Sequence, residues 1–348
     1  MVNVKTADEI WVLGELSADG GLLGTVFELS ACARRLADSL AAVTGSPHRV
    51  TAVFLGSGGV NRAIFEETGR FGADMVLTAN EEWLRFDRAS CGKLLAHMVR
   101  ASADGPPKII IASAAAYGRS VMPYAAALLK TGLTADCTGL DIEPESGLLL
   151  QTRPAIGGSI MAAIKTPGHR PQMATVRPGI FPLPAPDDSG RAGVFPFEIP
   201  ETLRPSVETI SFSRFSPEEG ALKDREAVVS GGRGLRRADG FKLISALAAA
   251  LGAGVGASRP AVEMKWIGYP HQVGLSGQAV SPKVYIAAGI SGSVQHLAGM
   301  QTSGKIISIN KDPDARIFRV SDAAICGDLY EVIPKLMERI KEIKEGPE

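Results

Sequence analysis

Three short segments carry residue types that could hold a phosphate-bearing ligand. SGGRGL (Ser230–Leu235) joins glycines, which let backbone amides approach a ligand closely, to Arg233 as a fixed cation. ASRP (Ala257–Pro260) sets the Ser258 hydroxyl beside Arg259. GISGSVQH (Gly289–His296) adds hydroxyls and His296, and a helix opening at Val294 would turn its amide end toward an anion. Each begins at the end of a short apolar run. Strand-then-glycine junctions of this kind are where open α/β sheets hold ligands, outside the carboxyl ends of the strands. Singly each is ordinary: a glycine turn is commonly turn geometry, an arginine a surface cation, a histidine a core residue. Their succession within one block points to a cofactor carrying phosphates.

The common fingerprints do not fit. SGGRGL lacks the GxGxxG spacing and no Walker lysine follows any of the turns, so ordinary NAD(P) and nucleoside-triphosphate sites recede in favour of an unusual flavin or nucleotide fold. Cys32, Cys91, Cys137 and Cys326 stand far apart with no CxxC pair, which disfavours zinc ribbons and iron–sulfur clusters; no metal site is expected. Lys plus Arg (37) balances Asp plus Glu (37), leaving no global field to attract a nucleic acid. The amino terminus lacks a basic region followed by a long apolar run. The apolar stretch Ser245–Ala257 is too short and too broken by glycine to span a bilayer. A cytoplasmic protein without membrane insertion is expected.

Elements must bring these segments together. In the first half, β-rich runs at Ile10–Leu13, Val50–Leu55 and Lys108–Ala112 alternate with helical patterns at Val26–Ala42, Asn61–Thr68, Arg88–Ala103 and Ser120–Lys130, the mark of a parallel α/β sheet. From Thr138, strand-like pieces separated by Glu-Ser-Gly and Gly-Gly turns suggest appended hairpins. Phe181–Pro205 is dense in Pro, Asp, Ser and Gly and reads as a linker or wrapping segment. A second α/β block begins near Ala227, with a helix at Phe241–Leu251, three further strands, the last at Ser321–Ile325, and a closing helix at Tyr330–Lys344. The fold class is therefore α/β: an amino-terminal parallel domain with appended hairpins over residues 1–205, then a doubly wound cofactor-binding domain over 206–348.

Longer motifs sharpen this. VVSGGRGL, VGASRPAVE, QVGLSG, VYIAAGISGSVQHLAGM, IISINKDPDARIF and GDLYEVIPKL follow in an order and spacing that resembles the FAD domain of electron-transfer flavoprotein α subunits. TGLTADCTGLDIE, TRPAIGGSIMAAI and RPQMATVRPGIF extend the resemblance over nearly the whole chain. It implies one FAD, with Arg233 as a cofactor-contacting arginine and Ser258 with Arg259 beside the isoalloxazine. It places Val273, Gly274, Leu275 and Ser276 on a second loop, and Ser291, Gly292, Ser293, Val294, Gln295 and His296 on a third. Asn310, Asp328 and Leu329 fall at positions that hold the adenosine. Arg259 and His296 would stabilise the negative charge that a reduced flavin carries near N1 and O2, and Ser276 would meet N5. Two departures stand out: QVGLSG replaces QVGQTG, and EMKWIGYPH is unlike the commonest pattern, as if meeting a particular partner.

The family implies a heterodimer with a β subunit, on which the amino-terminal domain packs without a cofactor of its own. It also implies exchange of electrons with a redox partner such as an acyl-CoA dehydrogenase. The form RPQMATVRPG is associated with α subunits of anaerobes and with relatives that split NADH electrons between two acceptors, so flavin-based bifurcation is one expectation and a one-flavin carrier, with AMP in the β subunit, the other. The alternative of another class is a non-flavin nucleotide-binding regulator or a deacylase-like protein. A sirtuin-like enzyme would need a zinc-binding CxxC pair, which the cysteines do not supply.

Overall fold

The computed structural model describes residues 8–345 apart from 18–19, 57–58, 103, 156–159, 204, 206–207, 209, 212–221 and 223–224. Parts of three expectations therefore lie outside the described residues: the Gly157-Gly158 turn, the helix end at Ala103, and the residues following Pro205. The chain divides into two compact units, Met1–Phe212 and Ser213–Glu348.

The first unit runs β1 (Glu9–Leu13), α1 (Gly24–Thr44), β2 (Arg49–Leu55), α2 (Arg62–Glu66), β3 (Met75–Ala79), α3 (Arg88–Arg100), β4 (Ile109–Ser113), α4 (Ala116–Leu129) and β5 (Leu133–Cys137). There follow β6 (Gly139–Ile142), β7 (Leu149–Pro154), β8 (Met161–Ile164), β9 (Gln172–Val176) and β10 (Gly193–Pro196). Seven strands form a parallel sheet in the order β10-β3-β2-β1-β4-β9-β5. Its central strands, such as EIWVL and IIIAS, are buried along their whole length, because helices cover both faces. Gly45 closes α1 in the left-handed conformation (φ 72°), returning its N–H to Ala41 O at 2.9 Å.

Two expectations change here. Only β6, β7 and β8 form the antiparallel appendage. QMATV, read with the hairpins, instead enters the main sheet as β9 between β4 and β5, since all five of its residues are buried and an appended hairpin would leave one face wet. The proline-rich segment also contributes a strand: β10 pairs with β3 at the sheet edge, where Pro196 needs no further ladder partner.

The second unit runs β11 (Ala227–Gly231), α5 (Gly240–Leu251), β12 (Gly254–Ala257), α6 (Arg259–Glu263), β13 (Val284–Ala288), α7 (Val294–Leu297), β14 (Lys305–Asn310), β15 (Ala323–Cys326) and α8 (Leu329–Glu345). Five parallel strands stand in the order β12-β11-β13-β14-β15. The chain leaves β11 to one side for β12 and returns past it for β13, so the connections diverge between β11 and β13. This is the doubly wound arrangement. Its core fills both faces, with Ile244, Leu247, Ile286 and Ile333 on one and Val228, Tyr285, Met300 and Ile317 on the other.

Candidate functional site

The divergence point opens a crevice at the carboxyl ends of β11 and β13, the position where open sheets of this order hold ligands. The loops leaving the two strands meet there backbone to backbone. Gly232 N–H donates to Ala288 O, and Gly234 N–H to Gly289 O, each at 2.9 Å. A Cβ on Gly232 would stand 2.3 Å from Gly289 O, one on Gly234 2.6 Å from Gly289 Cα, and Gly289 itself has φ +65°. These glycines are thus required by the contact of one loop with the other, and not chiefly by close approach to a ligand. Arg233 rides on the resulting turn with its side chain exposed, and makes no ion pair among the described residues.

At the end of β12, Ser258 N–H donates to Gly231 O at 3.0 Å, tying this junction to the first. The Ser258 hydroxyl is buried and has no hydrogen-bond partner among the described residues. A buried hydroxyl without a partner costs about 1–3 kcal/mol, so it is a group waiting for one. Arg259 opens α6 and pairs with Glu263 across one turn, Nε to Oε1 at 2.7 Å, with both side chains more than half exposed. Pairs of this kind are weak and leave the guanidinium available.

The QVGLSG loop docks beside β12. Val273 N–H donates to Ala257 O at 2.9 Å and Leu275 N–H to Gln295 O at 2.8 Å, so Val273–Ser276 and the loop after β13 lie side by side. Leu275, which stands where the resembling family has a polar residue, is 57% exposed. The Ser276 hydroxyl accepts from Gln272 Nε2 at 3.0 Å, and Tyr269 Oη donates to Ser276 O at 2.8 Å.

After β13, Gly292 adopts φ +79°, and a Cβ there would stand 2.3 Å from Ile317 N. The backbone N–H groups of Ser291, Gly292, Ser293, Val294 and Gln295 have no acceptor among the described residues. A row of free amides around a left-handed residue is a concavity suited to an anion. His296 differs from its expected part. Its ring is buried, with Nδ1 3.1 Å from Val273 O and Nε2 3.0 Å from Tyr285 Oη. Burial pushes its pKa down to about 4, partly countered by the Val273 carbonyl, so at neutral pH it carries no charge. In this geometry the ring by itself is neutral, and Arg259 is the charged side chain on this side.

Across β14 and β15 lies an open cleft of about 120 Å³, lined by Gly234, Arg236, Asn310, Lys311, Asp328 and Tyr330 among others. Asn310 is a brace: Nδ2 donates to Ile290 O at 2.8 Å, and Oδ1 accepts from Asp312 N–H at 3.0 Å. Asp328 accepts from Lys311 Nζ at 2.7 Å and from Tyr330 N–H at 3.0 Å, and the lysine holds its carboxyl below the usual range. Leu329 is buried and starts α8, and Tyr330 Oη donates to Leu235 O at 2.6 Å, closing the cleft back onto the first loop. The structure thus brings Arg233, Asn310, Asp328 and Leu329 to one side of the crevice and Ser258, Arg259, Val273–Ser276 and Ser291–Gln295 to the other.

Sequence reasoning did not single out Gln272, Tyr269, Lys311, Arg236 or Tyr330. Gln272, Lys311 and Tyr330 lay inside the quoted motifs and Tyr269 inside EMKWIGYPH, and only folding reveals what their side chains reach. Among the described residues no group of His, Cys, Asp and Glu could hold a metal ion, and no helix is long and apolar enough to cross a membrane. In the first unit the ends of β1 and β4 are closely packed by neighbouring elements: a Cβ on Gly14 would meet the Phe54 ring of β2 at 2.2 Å, and one on Gly118 of α4 would meet Ser113 O at 2.0 Å.

An orphaned buried hydroxyl, a row of free amides, an available arginine and a polar cleft share one sheet edge. They suit an elongated ligand with hydroxyls, phosphates and a planar head. The comparisons agree. Residues 221–301 match the family model described as the electron transfer flavoprotein FAD-binding domain, and residues 10–201 match the electron transfer flavoprotein domain. The chain is 43% identical to the electron transfer flavoprotein subunit alpha of Thermoanaerobacterium thermosaccharolyticum, with 97% of this chain and 98% of that one covered. It is 40% identical to Protein FixB of Clostridium saccharobutylicum, over 98% and 99% of the two chains. With the lactate dehydrogenase (NAD(+),ferredoxin) subunit LctC of Acetobacterium woodii it shares 38% identity, over 95% of this chain and 75% of that one.

Proposed function

The chain belongs to the electron transfer flavoprotein α-subunit family, and from that premise we propose how its second unit holds FAD and tunes it. Arg233 steadies the cofactor from the β11 turn, while Ser258, Arg259, Val273–Ser276 and Ser291–His296 surround the isoalloxazine side. Asn310, Asp328 and Leu329 border the adenosine. The observation that carries this is the convergence of unmet polar groups, the Ser258 hydroxyl and the Ser291–Gln295 amides, on the carboxyl edge of one parallel sheet. A non-flavin regulator or a deacylase-like protein is not favoured, given the FAD-binding family match.

When bound, FAD supplies the capacity to take up and release electrons. The chain supplies position and electrostatics. Arg259, held only by an exposed pair with Glu263, turns toward developing negative charge at small cost. Ser258 gains the partner it lacks. His296, neutral and buried, acts through the loop it anchors at Val273 and not through charge. Tuning of the potential therefore falls mainly on Arg259 and Ser276.

The first unit serves as the platform for a β subunit. Ile160 and Ile164, on one face of β8 and its approach, and Met161 on the other are exposed, at 68%, 37% and 54%, apolar side chains on an antiparallel sheet that a partner chain would cover. The assembled heterodimer exchanges electrons with a dehydrogenase, of the acyl-CoA class or similar. The relative named for NAD(+) and ferredoxin favours a variant in which NADH electrons are split between two acceptors. Flavin content per heterodimer, after co-expression with the β partner, tests the whole reading. Two FAD support electron splitting, one FAD with one AMP supports a simple carrier, and a colourless protein overturns the flavin site.

A further inference from the structure

We infer that Gln272 and Tyr269 are positioning residues that fix the direction in which the Ser276 hydroxyl offers its hydrogen. The inference rests on the reading of this sheet edge as the flavin site.

A serine on an exposed loop is free to turn among three staggered rotamers. Ser276 is exposed, yet it is held at two points. Its hydroxyl oxygen accepts from Gln272 Nε2 at 3.0 Å and its carbonyl accepts from Tyr269 Oη at 2.8 Å. Gln272 is itself immobile: it is 4% exposed, its N–H donates to Tyr269 O at 2.9 Å, and its carbonyl accepts from Gln278 N–H at 2.7 Å. Gly277 packs against it, since a Cβ there would stand 2.9 Å from Gln272 Cγ.

A hydroxyl has one hydrogen. With the Ser276 oxygen occupied by the amide, that hydrogen points away from Gln272 and out of the loop. Ser276 is thereby a donor toward whatever lies over the loop, and a donor favours the more electron-rich form of an acceptor. Tyr269 explains part of the unusual EMKWIGYPH segment. Its ring is 63% exposed and gains little from packing, while its hydroxyl fixes the peptide that carries Ser276. Within the segment, Tyr269 thus supports the loop that carries Ser276.

The test uses the holo heterodimer. Gln272→Glu puts a carboxylate, which only accepts, where the amide donated, so the Ser276 hydrogen turns inward. The flavin's one-electron potential should fall by about 59 mV, a tenfold change in the equilibrium constant. As pH falls from about 7 toward about 4, through the ordinary Glu value of about 4.3, the acid regains its proton and donates again, so the deficit should shrink. Tyr269→Phe, a change at an exposed ring that folding will tolerate, should shift the flavin's visible band and lower the potential by less. In flavin-free protein labelled with 15N-glutamine, Ser276→Ala should move the Gln272 side-chain amide resonance. A potential equal to wild type in Gln272→Glu across that pH range, with an amide resonance indifferent to Ser276→Ala, overturns the inference. A colourless wild-type heterodimer would instead overturn the flavin reading, and the amide resonance would still report on the link between the two side chains.

Discussion

Tyr285 Oη lies 3.0 Å from His296 Nε2 and 2.7 Å from Ser230 Oγ. The histidine's other nitrogen faces Val273 O, which can only accept, so the one hydrogen of a neutral ring belongs on Nδ1 and Nε2 is an acceptor. The Tyr285 and Ser230 hydroxyls can turn so that each contact holds one hydrogen with the ring neutral. Burial keeps it so, with a pKa of about 4.

The sign of the pH dependence follows. His296 titrates near its ordinary 6.5 in the unfolded chain and near 4 in the folded one. Above about pH 6.5 neither state is charged and the full stability is present. As pH falls from there through about 4, the unfolded chain takes up a proton that the folded one refuses, and stability is lost, up to about 3 kcal/mol. Denaturant midpoints measured across this window should fall more steeply for the wild type than for His296→Gln. Parallel slopes would remove His296 as the cause.

Tyr285→Phe strands two partners at once, the Ser230 hydroxyl and one nitrogen of His296. A loss of about 1–3 kcal/mol is expected, the cost of leaving buried polar groups unpaired. Urea unfolding of the flavin-free chain reads it directly. A loss below about 0.5 kcal/mol would mean the hydroxyl contributes nothing net.

Ser258→Ala should act in the opposite way on the two forms of the protein. Without cofactor the hydroxyl has no partner, so its removal should leave stability unchanged or slightly raised. With cofactor it loses a hydrogen bond, and FAD retention should weaken about fivefold, the equivalent of about 1 kcal/mol. Equal FAD dissociation constants for variant and wild type would show that the hydroxyl never finds its partner in the ligand.

Gly289 and Gly252 share φ +65°, but only Gly289 is crowded, with Gly234 Cα 2.9 Å from where a Cβ would stand. Gly252→Ala should cost only the left-handed conformation, about 1–2 kcal/mol. Gly289→Ala should cost more and should also weaken FAD binding by parting the loops after β11 and β13. Thermal melts and flavin content on the pair of variants separate backbone strain from loop contact.

Glu263→Gln removes the charge that pairs with Arg259. Stability should change by less than about 0.5 kcal/mol, since the pair is exposed. Freed from its carboxylate, Arg259 should raise the flavin potential, whereas Arg259→Ala should lower it and loosen FAD. A redox titration in which both variants move the same way would contradict this.

Much of this was legible before folding, and for identifiable reasons. Buried parallel strands such as IIIAS are apolar along their length, and turns such as SGGRGL must be glycine-rich where backbones touch; both facts survive in a one-dimensional string. β9 and β10 did not survive in it. QMATV has no alternation to distinguish a buried central strand from half of a hairpin, and GVFP joins the sheet only because β3 offers an edge to it. Their placement is decided by partners distant in sequence.

The sequence by itself determined the class of the fold, the order of its two blocks and the loops from which a cofactor site could be built, because periodicity and turn chemistry are local. Only the tertiary structure decided what each side chain in those loops does. It buried the His296 ring as a neutral group, made Asn310 a brace, left the Ser258 hydroxyl without a partner among the described residues and gave Ser276 its two anchors. Charge and hydrogen bonding depend on burial and on neighbours across space, and those are set when β11, β12, β13 and β14 come to lie side by side.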